Sequence, residues 1–210
     1  MPSAMPMIAC KNIFQVLASA VVVLIAAGAT ANSNFTAATG NTPKFTMHSK
    51  PQPMPALVFQ DGEGRMIELK NFRGKIVVLN LWATWCAPCR KEMPTLDRLQ
   101  AQLGGINFEV VALSVDFSGA QVVRNFYRDF GIKHLRLYID PSSRVLDQVK
   151  VLGLPATLLI DRNGRELGRL VGAAAWDSPE MLRLFRGLIG KEPEDRRVDA
   201  ARSMSAALAD

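Results

Sequence analysis

The chain has 210 residues, 49% of them hydrophobic and 21% charged, with a formal net charge of +6. Those values exclude a wholly disordered chain, and the length suits one globular domain with terminal extensions. Three Cys are too few for a disulfide-stapled miniprotein, two distant His leave little for a catalytic zinc site, and 15 Gly with 12 Pro exclude a collagen-like repeat. The basic residues are scattered, with Arg90-Lys91 and Arg196-Arg197 among the densest pairs. That reads as a solvated basic surface and not as a nucleic-acid-binding stripe.

No charged residue occurs between Lys11 and Lys44, and the stretch from Ile13 to Ala31 is mostly apolar. A span of about 20 apolar residues crosses a bilayer, whereas a cleavable signal carries about 7–15. This run falls between the two, and Ala29-Thr30-Ala31 resembles a small-residue cleavage site. Residues 1–31 therefore read as a signal-anchor or a signal peptide, with Lys11 on the cytoplasmic side and the remainder outside the cytoplasm. Cys10 precedes the apolar run, where a lipid-modified Cys would follow it, so it reads as an incidental thiol.

Residues 32–55, rich in Asn, Ser, Thr, Ala and Pro, read as a flexible linker with an r.m.s. reach of about 25–30 Å. The domain is expected over 56–190, and 191–210 reads as a charged tail. Within the domain, Leu57–Phe59 and Met66–Leu69 flank Asp61-Gly-Glu-Gly64, a hairpin signal. Ile76 to Trp82 is a near-continuous apolar run, as in a strand buried on both faces. Helical spacing follows from Cys86 to Leu103. A strand is expected at Phe108–Val115, a helix at Gln121–Phe130, a strand at Leu135–Ile139 and a helix at Ser143–Leu152. A second hairpin pairs Ala156–Ile160 with Glu166–Val171, and Ser178 caps a last helix reaching Ile189. Alternating strands and helices predict an α/β fold with a mainly parallel sheet closed by an antiparallel hairpin.

The chemistry is concentrated in Trp85-Cys86-Ala87-Pro88-Cys89. Two Cys one helical turn apart share a face and can form a reversible disulfide. A helix N-terminus presents free N–H groups and the positive end of the dipole, which favour a thiolate. Cys86, at the helix mouth, is the expected nucleophile, and Cys89, one turn inside, the expected resolving thiol. A lone Cys-x-x-Cys is also half of a zinc site, but no second pair exists at suitable spacing. A static disulfide is the other alternative, although so short a loop gains little entropy.

The segment Trp82-Ala-Thr-Trp-Cys-Ala-Pro-Cys-Arg-Lys-Glu-Met-Pro94 resembles the active site of the thioredoxin superfamily, and more narrowly the membrane-anchored TlpA/ResA-type thiol–disulfide oxidoreductases of bacteria. Gly153-Leu-Pro-Ala-Thr157 matches the family's cis-proline loop, Gly172–Ser178 resembles a segment of the TlpA branch, and Asp116–Asp140 resembles that branch's insertion. The resemblance spans about 55–190. It implies a thioredoxin-like fold with an N-terminal β-hairpin and a central βα insertion, Cys86 attacking, Cys89 resolving, and Pro155 cis opposite the disulfide. It also implies a proton-handling role for Glu92, whose alternative is a solvated helix residue paired with Arg90 or Lys91. Asn80 occupies the place where thioredoxins proper carry a buried Asp, so it cannot ionise. Trp82, Trp176 and Met181 read as core, Trp85 as part of a docking face, and Pro94 as a helix kink.

By the same resemblance, the function is reduction of disulfides in exported proteins, with clients in cytochrome c or cytochrome oxidase biogenesis and a membrane thiol reductant as electron donor. The implied location is the periplasmic side of the inner membrane, or the periplasm if the chain is cut after Ala31. No dissociable cofactor and no metal are expected, and a monomer is. Three rivals stay open: an oxidase or isomerase of the same fold, a thioredoxin-fold peroxidase, and a copper-delivery module, for which His48 and His134 lie outside any suitable motif.

Overall fold

Strand β4 (Ile76–Trp82) is buried at every position, and the rest of the domain is assembled around it. This is seen in a computed structural model of the chain, which describes residues 45–191. The apolar run has no polar alternation because helices cover both faces of a central strand. Among the described residues one eight-stranded sheet has the order β1-β8-β7-β4-β5-β6-β2-β3. The strands are β1 (Thr46–Pro53), β2 (Val58–Asp61), β3 (Met66–Glu68), β4, β5 (Phe108–Ser114), β6 (Tyr138–Ile139), β7 (Ala156–Ile160) and β8 (Arg165–Val171). The helices are α1 (Ala87–Leu103), α2 (Ala120–Asp129), α3 (Arg144–Gln148) and α4 (Pro179–Gly190).

The α/β, thioredoxin-like class and the N-terminal hairpin are as the residues imply, but the sheet is not mainly parallel. Among the described residues only β4–β5 and β5–β6 run parallel, while β7 enters antiparallel to β4 and the remaining pairs are antiparallel as well. The two hairpin turns use the same chemistry. Asp61 Oδ1 accepts from the backbone N–H of Glu63 and Arg65, both at 2.9 Å, and Asp161 Oδ1 accepts from Asn163 at 2.9 Å and Arg165 at 2.8 Å. Gly64 and Gly164 then supply the left-handed residue, with φ of 80° and 81°.

The linker expected over 32–55 is corrected at its far end, because Thr46–Pro53 forms β1 against β8. Most β1 side chains are exposed, so no apolar alternation announces it. Its hold is main-chain pairing, with a register break between Met47 and Gln52, and a 2.9 Å contact from His48 Nε2 to Glu166 Oε1. The close approach requires glycine at 168, where a Cβ would lie 2.6 Å from Thr46 O. The expected N-terminal segment, the near part of the linker, Cys10 and nearly all of the tail lie outside the described residues.

Two elements are shorter than expected. The strand expected over Leu135–Ile139 shrinks to Tyr138–Ile139, because buried Asp97 Oδ1 draws in the N–H groups of Lys133, His134 and Leu135 at 3.0, 2.7 and 3.0 Å. Those donors serve a side chain instead of a ladder. The helix expected over Ser143–Leu152 ends at Gln148, beyond which Lys150 takes a φ of 55°. Pro94 lies inside α1, which runs from Ala87 to Leu103. Trp82 packs on Phe126 and Tyr127, with ring centroids at 5.0 and 6.1 Å, and Trp176 and Met181 are buried. Among the described residues no helix is long and apolar enough to cross a membrane.

Candidate active site

Strand β4 ends at Trp82, and after three intervening residues the chain enters α1 with Cys86 as N-cap. Pro88 near the helix start costs nothing, since its missing N–H belongs to the turn without partners. Cys86 and Cys89 are joined in a disulfide, with Cα atoms 5.3 Å apart. Cys89 is fully buried and Cys86 retains a small opening to solvent. The Cys89 N–H points at Cys86 Sγ, 3.3 Å away, so a donor at the helix N-terminus is already aimed at the sulfur that faces outward. A thiolate at Cys86 would keep that donor and gain from the dipole.

The connection from β4 to α1 is fixed by a residue the sequence reading passed over. Asp116, just beyond β5, is buried and accepts from Thr84 N at 2.9 Å, Thr84 Oγ1 at 2.7 Å and Ser114 Oγ at 2.7 Å. One carboxylate thus ties the loop before the Cys pair to the neighbouring parallel strand. Its signal in the sequence is an acidic residue directly after a buried strand, facing a Thr that follows another.

Behind the disulfide lies Glu92, one turn beyond Cys89 and 2% exposed, which sets aside the solvated alternative. Its Oε1 accepts from Asn80 Nδ2 at 2.9 Å, and its Oε2 accepts from Ala174 N at 3.0 Å and Trp176 Nε1 at 2.8 Å. Burial raises its pKa above the usual carboxylate value, and the donors from Trp176, Ala174 and Asn80 pull it part of the way back. All these partners are neutral. The 172–178 segment is thereby docked on α1, helped by Thr95, whose Oγ1 accepts from Trp176 N at 3.2 Å. Trp176 is a core residue, as expected, and also a donor to the buried acid, which its sequence context did not reveal.

The Leu154–Pro155 peptide is cis. Register carries this proline to the active-site end of the sheet, since the next residue, Ala156, pairs with Leu81 and Thr157 pairs with Asn80. Pro155 O accepts from Gly172 N at 2.9 Å, so the proline loop and the 172–178 segment abut. Around these loops Trp85 and Phe117 are largely exposed and Leu152 is fully exposed. The structure therefore gathers Cys86, Cys89, Glu92 and the Pro155 loop at one end of the sheet. His48 and His134 are elsewhere, His48 on Glu166 and the backbone of His134 on Asp97.

Residues 51–165 match the AhpC/TSA family. The chain is 37% identical over 118 residues to the thiol-disulfide oxidoreductase ResA of Bacillus anthracis, covering 56% of this chain and 67% of that one. The chain belongs to this family. With ResA of Geobacillus kaustophilus it shares 32% identity over 146 residues, 70% of this chain and 74% of the relative. Among solved structures it resembles one assigned to the thiol:disulfide interchange protein DsbE of Chlorobium tepidum. That match has a TM-score of 0.60 and 28% identity, over 67% of this chain and 98% of the other. A ResA-type member is a thiol–disulfide oxidoreductase of thioredoxin fold, and the Cys pair at the helix mouth is the feature of this chain suited to that chemistry.

Proposed function

We propose that the enzyme works in the reducing direction, outside the cytoplasm, on disulfides of exported proteins in cytochrome c or cytochrome oxidase biogenesis. The observation that carries this reading is the pairing of an outward Cys86, held under the Cys89 N–H, with a buried acid behind Cys89. The Ala87-Pro88 dipeptide adds no His that would stabilise the Cys86 thiolate further and make the pair strongly oxidising.

In the proposed cycle the Cys86 thiolate attacks one sulfur of a client disulfide. The client's other sulfur leaves as a thiolate and takes a proton from solvent. Glu92 accepts the proton of the Cys89 thiol, and the resulting thiolate attacks Cys86 Sγ. The client's second sulfur departs as a thiolate and is protonated, the two electrons leave with the reduced client, and the enzyme is left oxidised as the Cys86–Cys89 disulfide. A membrane thiol reductant restores both thiols. Leu154, ahead of Pro155, offers main chain to an extended client segment, and exposed Trp85 supports a docking role beside Cys86. Residues 1–31 would hold the enzyme at the periplasmic face of the inner membrane or, if removed, release it there.

Cys89→Ser in the full chain is the test. With resolution blocked, a mixed disulfide through Cys86 should accumulate with apocytochrome or oxidase-assembly clients on non-reducing gels, and disappear in Cys86→Ser/Cys89→Ser. A chain that forms no adduct ends the reading. An equilibrium midpoint well below that of glutathione is expected, and one above it would reassign the enzyme as an oxidase or isomerase.

A further inference from the structure

Asn80 sits on β4 in the middle of the buried cluster and is itself fully buried. Its two Nδ2 hydrogens have two acceptors, Glu92 Oε1 and Thr157 Oγ1, each at 2.9 Å. Its carbonyl oxygen has none. Among the described residues, Asn80 Oδ1 is the buried side-chain acceptor left without a partner, the other buried orphan, Trp82 Nε1, being a donor. A buried carbonyl without a donor has lost its hydration, so it is open to a donor that appears beside it.

Such a donor follows from the chemistry of Glu92. As a carboxylate it is matched by three donors, from Asn80, Ala174 and Trp176. As a carboxylic acid it becomes a donor and needs an acceptor. No charged group intervenes: Arg90 and Lys91 on α1 are exposed, Arg90 lies over the Phe130 ring, and Arg98 pairs with Asp177 at 2.6 Å. Glu92 is met from β4 and the 172–176 segment by Asn80, Ala174 and Trp176, all neutral, with Thr157 of β7 beyond Asn80; on α1 the titratable neighbour one turn away is Cys89, held in the disulfide.

We propose that Asn80 is a positioning residue whose amide turns over with the protonation of Glu92, donating through Nδ2 to the carboxylate and accepting through Oδ1 from the carboxylic acid. A half-turn about Cβ–Cγ exchanges the two atoms. Thr157, which accepts in the first state, rotates its hydroxyl to donate to Oδ1 in the second. Asn80 makes two hydrogen bonds in each state and no covalent bond changes; the Nδ2 hydrogens give up their acceptors in the second state, in exchange for the acceptor that the carboxylic acid requires. The exchange explains why an amide stands here: Asp would repel the carboxylate, and an apolar residue would serve neither form. Thr157 belongs to β7, two residues beyond Pro155, so the turn passes the protonation state of Glu92 to the strand that follows the proline loop. The inference rests on the reading of Glu92 as the proton acceptor.

The test is a pH series on the full, isotope-labelled chain by NMR, following the Glu92 carboxyl carbon and the two Asn80 Nδ2 protons over roughly pH 5 to 9. A turning amide moves both protons upfield on acidification, with the midpoint of the Glu92 carbon, because both lose their acceptors. If Glu92 titrates while only the proton facing it moves, the amide is fixed, and this inference fails with the role of Glu92 intact. If the Glu92 carbon does not titrate, both readings fall. Asn80→Ala, where it folds, gives a second readout. Both forms of Glu92 lose one hydrogen bond, so its midpoint should rise by less than about half a unit, whereas a rise of about one unit or more marks a fixed donor and overturns the proposal.

Discussion

Glu92 and Glu166 are buried to nearly the same depth, at 2% and 4% exposure, yet their surroundings push them in opposite directions. Glu92 is met by an amide, an indole and a backbone N–H, all neutral, and burial carries its pKa upward. Glu166 is desolvated as well, but Arg169 grips both its oxygens at 2.7 and 2.6 Å and His48 adds a contact at 2.9 Å, which together bring its pKa below the ordinary value. Dipoles leave a buried acid free to change its charge, whereas full opposite charges lock it. The first arrangement suits an acid behind a redox pair, and the second suits a joint between β1 and β8.

The largest expected effect is at the locked acid. Glu166→Gln leaves the guanidinium of Arg169 without its counter-charge, with only 31% of that side chain exposed. A loss of about 2–3 kcal/mol in urea unfolding is expected, and a loss under about 1 kcal/mol would mean that the pair only balances its own desolvation. Its pH signature has the usual carboxylate sign. The folded value lies below the ordinary glutamate value, so the stability from Glu166 is present above that value and drains as pH falls through the folded one.

Glu92→Gln should show the reverse. The folded value of Glu92 lies above the ordinary glutamate value, so its contribution is complete below that ordinary value and is lost as pH rises through the raised one. The variant should therefore gain on the wild type with increasing pH, while client reduction slows about tenfold or more near neutrality and loses its pH dependence. A variant that reduces clients with the wild-type profile returns Glu92 to a purely structural role.

How far these sites were legible in the sequence follows from what each residue signals by itself. The Cys pair after a long apolar strand specifies strand, helix mouth and chemistry together, because spacing and helix polarity suffice. Glu92 was legible as a candidate but not as a buried one, since its donors arrive from Asn80, Ala174 and Trp176, far along the chain. Asp97 and Asp116 were missed for the same reason: each binds backbone or side chains from distant segments, and an isolated Asp on a helix or after a strand carries no mark of that. Strand β1 was hidden by its exposed, polar side chains, and the antiparallel entry of β7 is a matter of chain routing that alternation of strands and helices does not encode.

The smallest effect expected sharpens the account of β1. His48 touches only one oxygen of Glu166, is itself 28% exposed, and leaves the Arg169 pair intact when removed. His48→Gln should therefore cost no more than about 0.5–1 kcal/mol globally. The local consequence is the informative one. Thr46 and Met47 pair with Arg169 and Gly168 on one side of the register break, and Gln52 and Pro53 with Glu166 and Arg165 on the other, so His48 anchors the stretch between. Amide exchange should quicken at Thr46 and Met47 while Val77–Leu81 in β4 stay protected. If exchange at Thr46 and Met47 is unchanged, the close main-chain approach at Gly168 holds β1 without help from the imidazole, and the Glu166 cluster serves β8 alone.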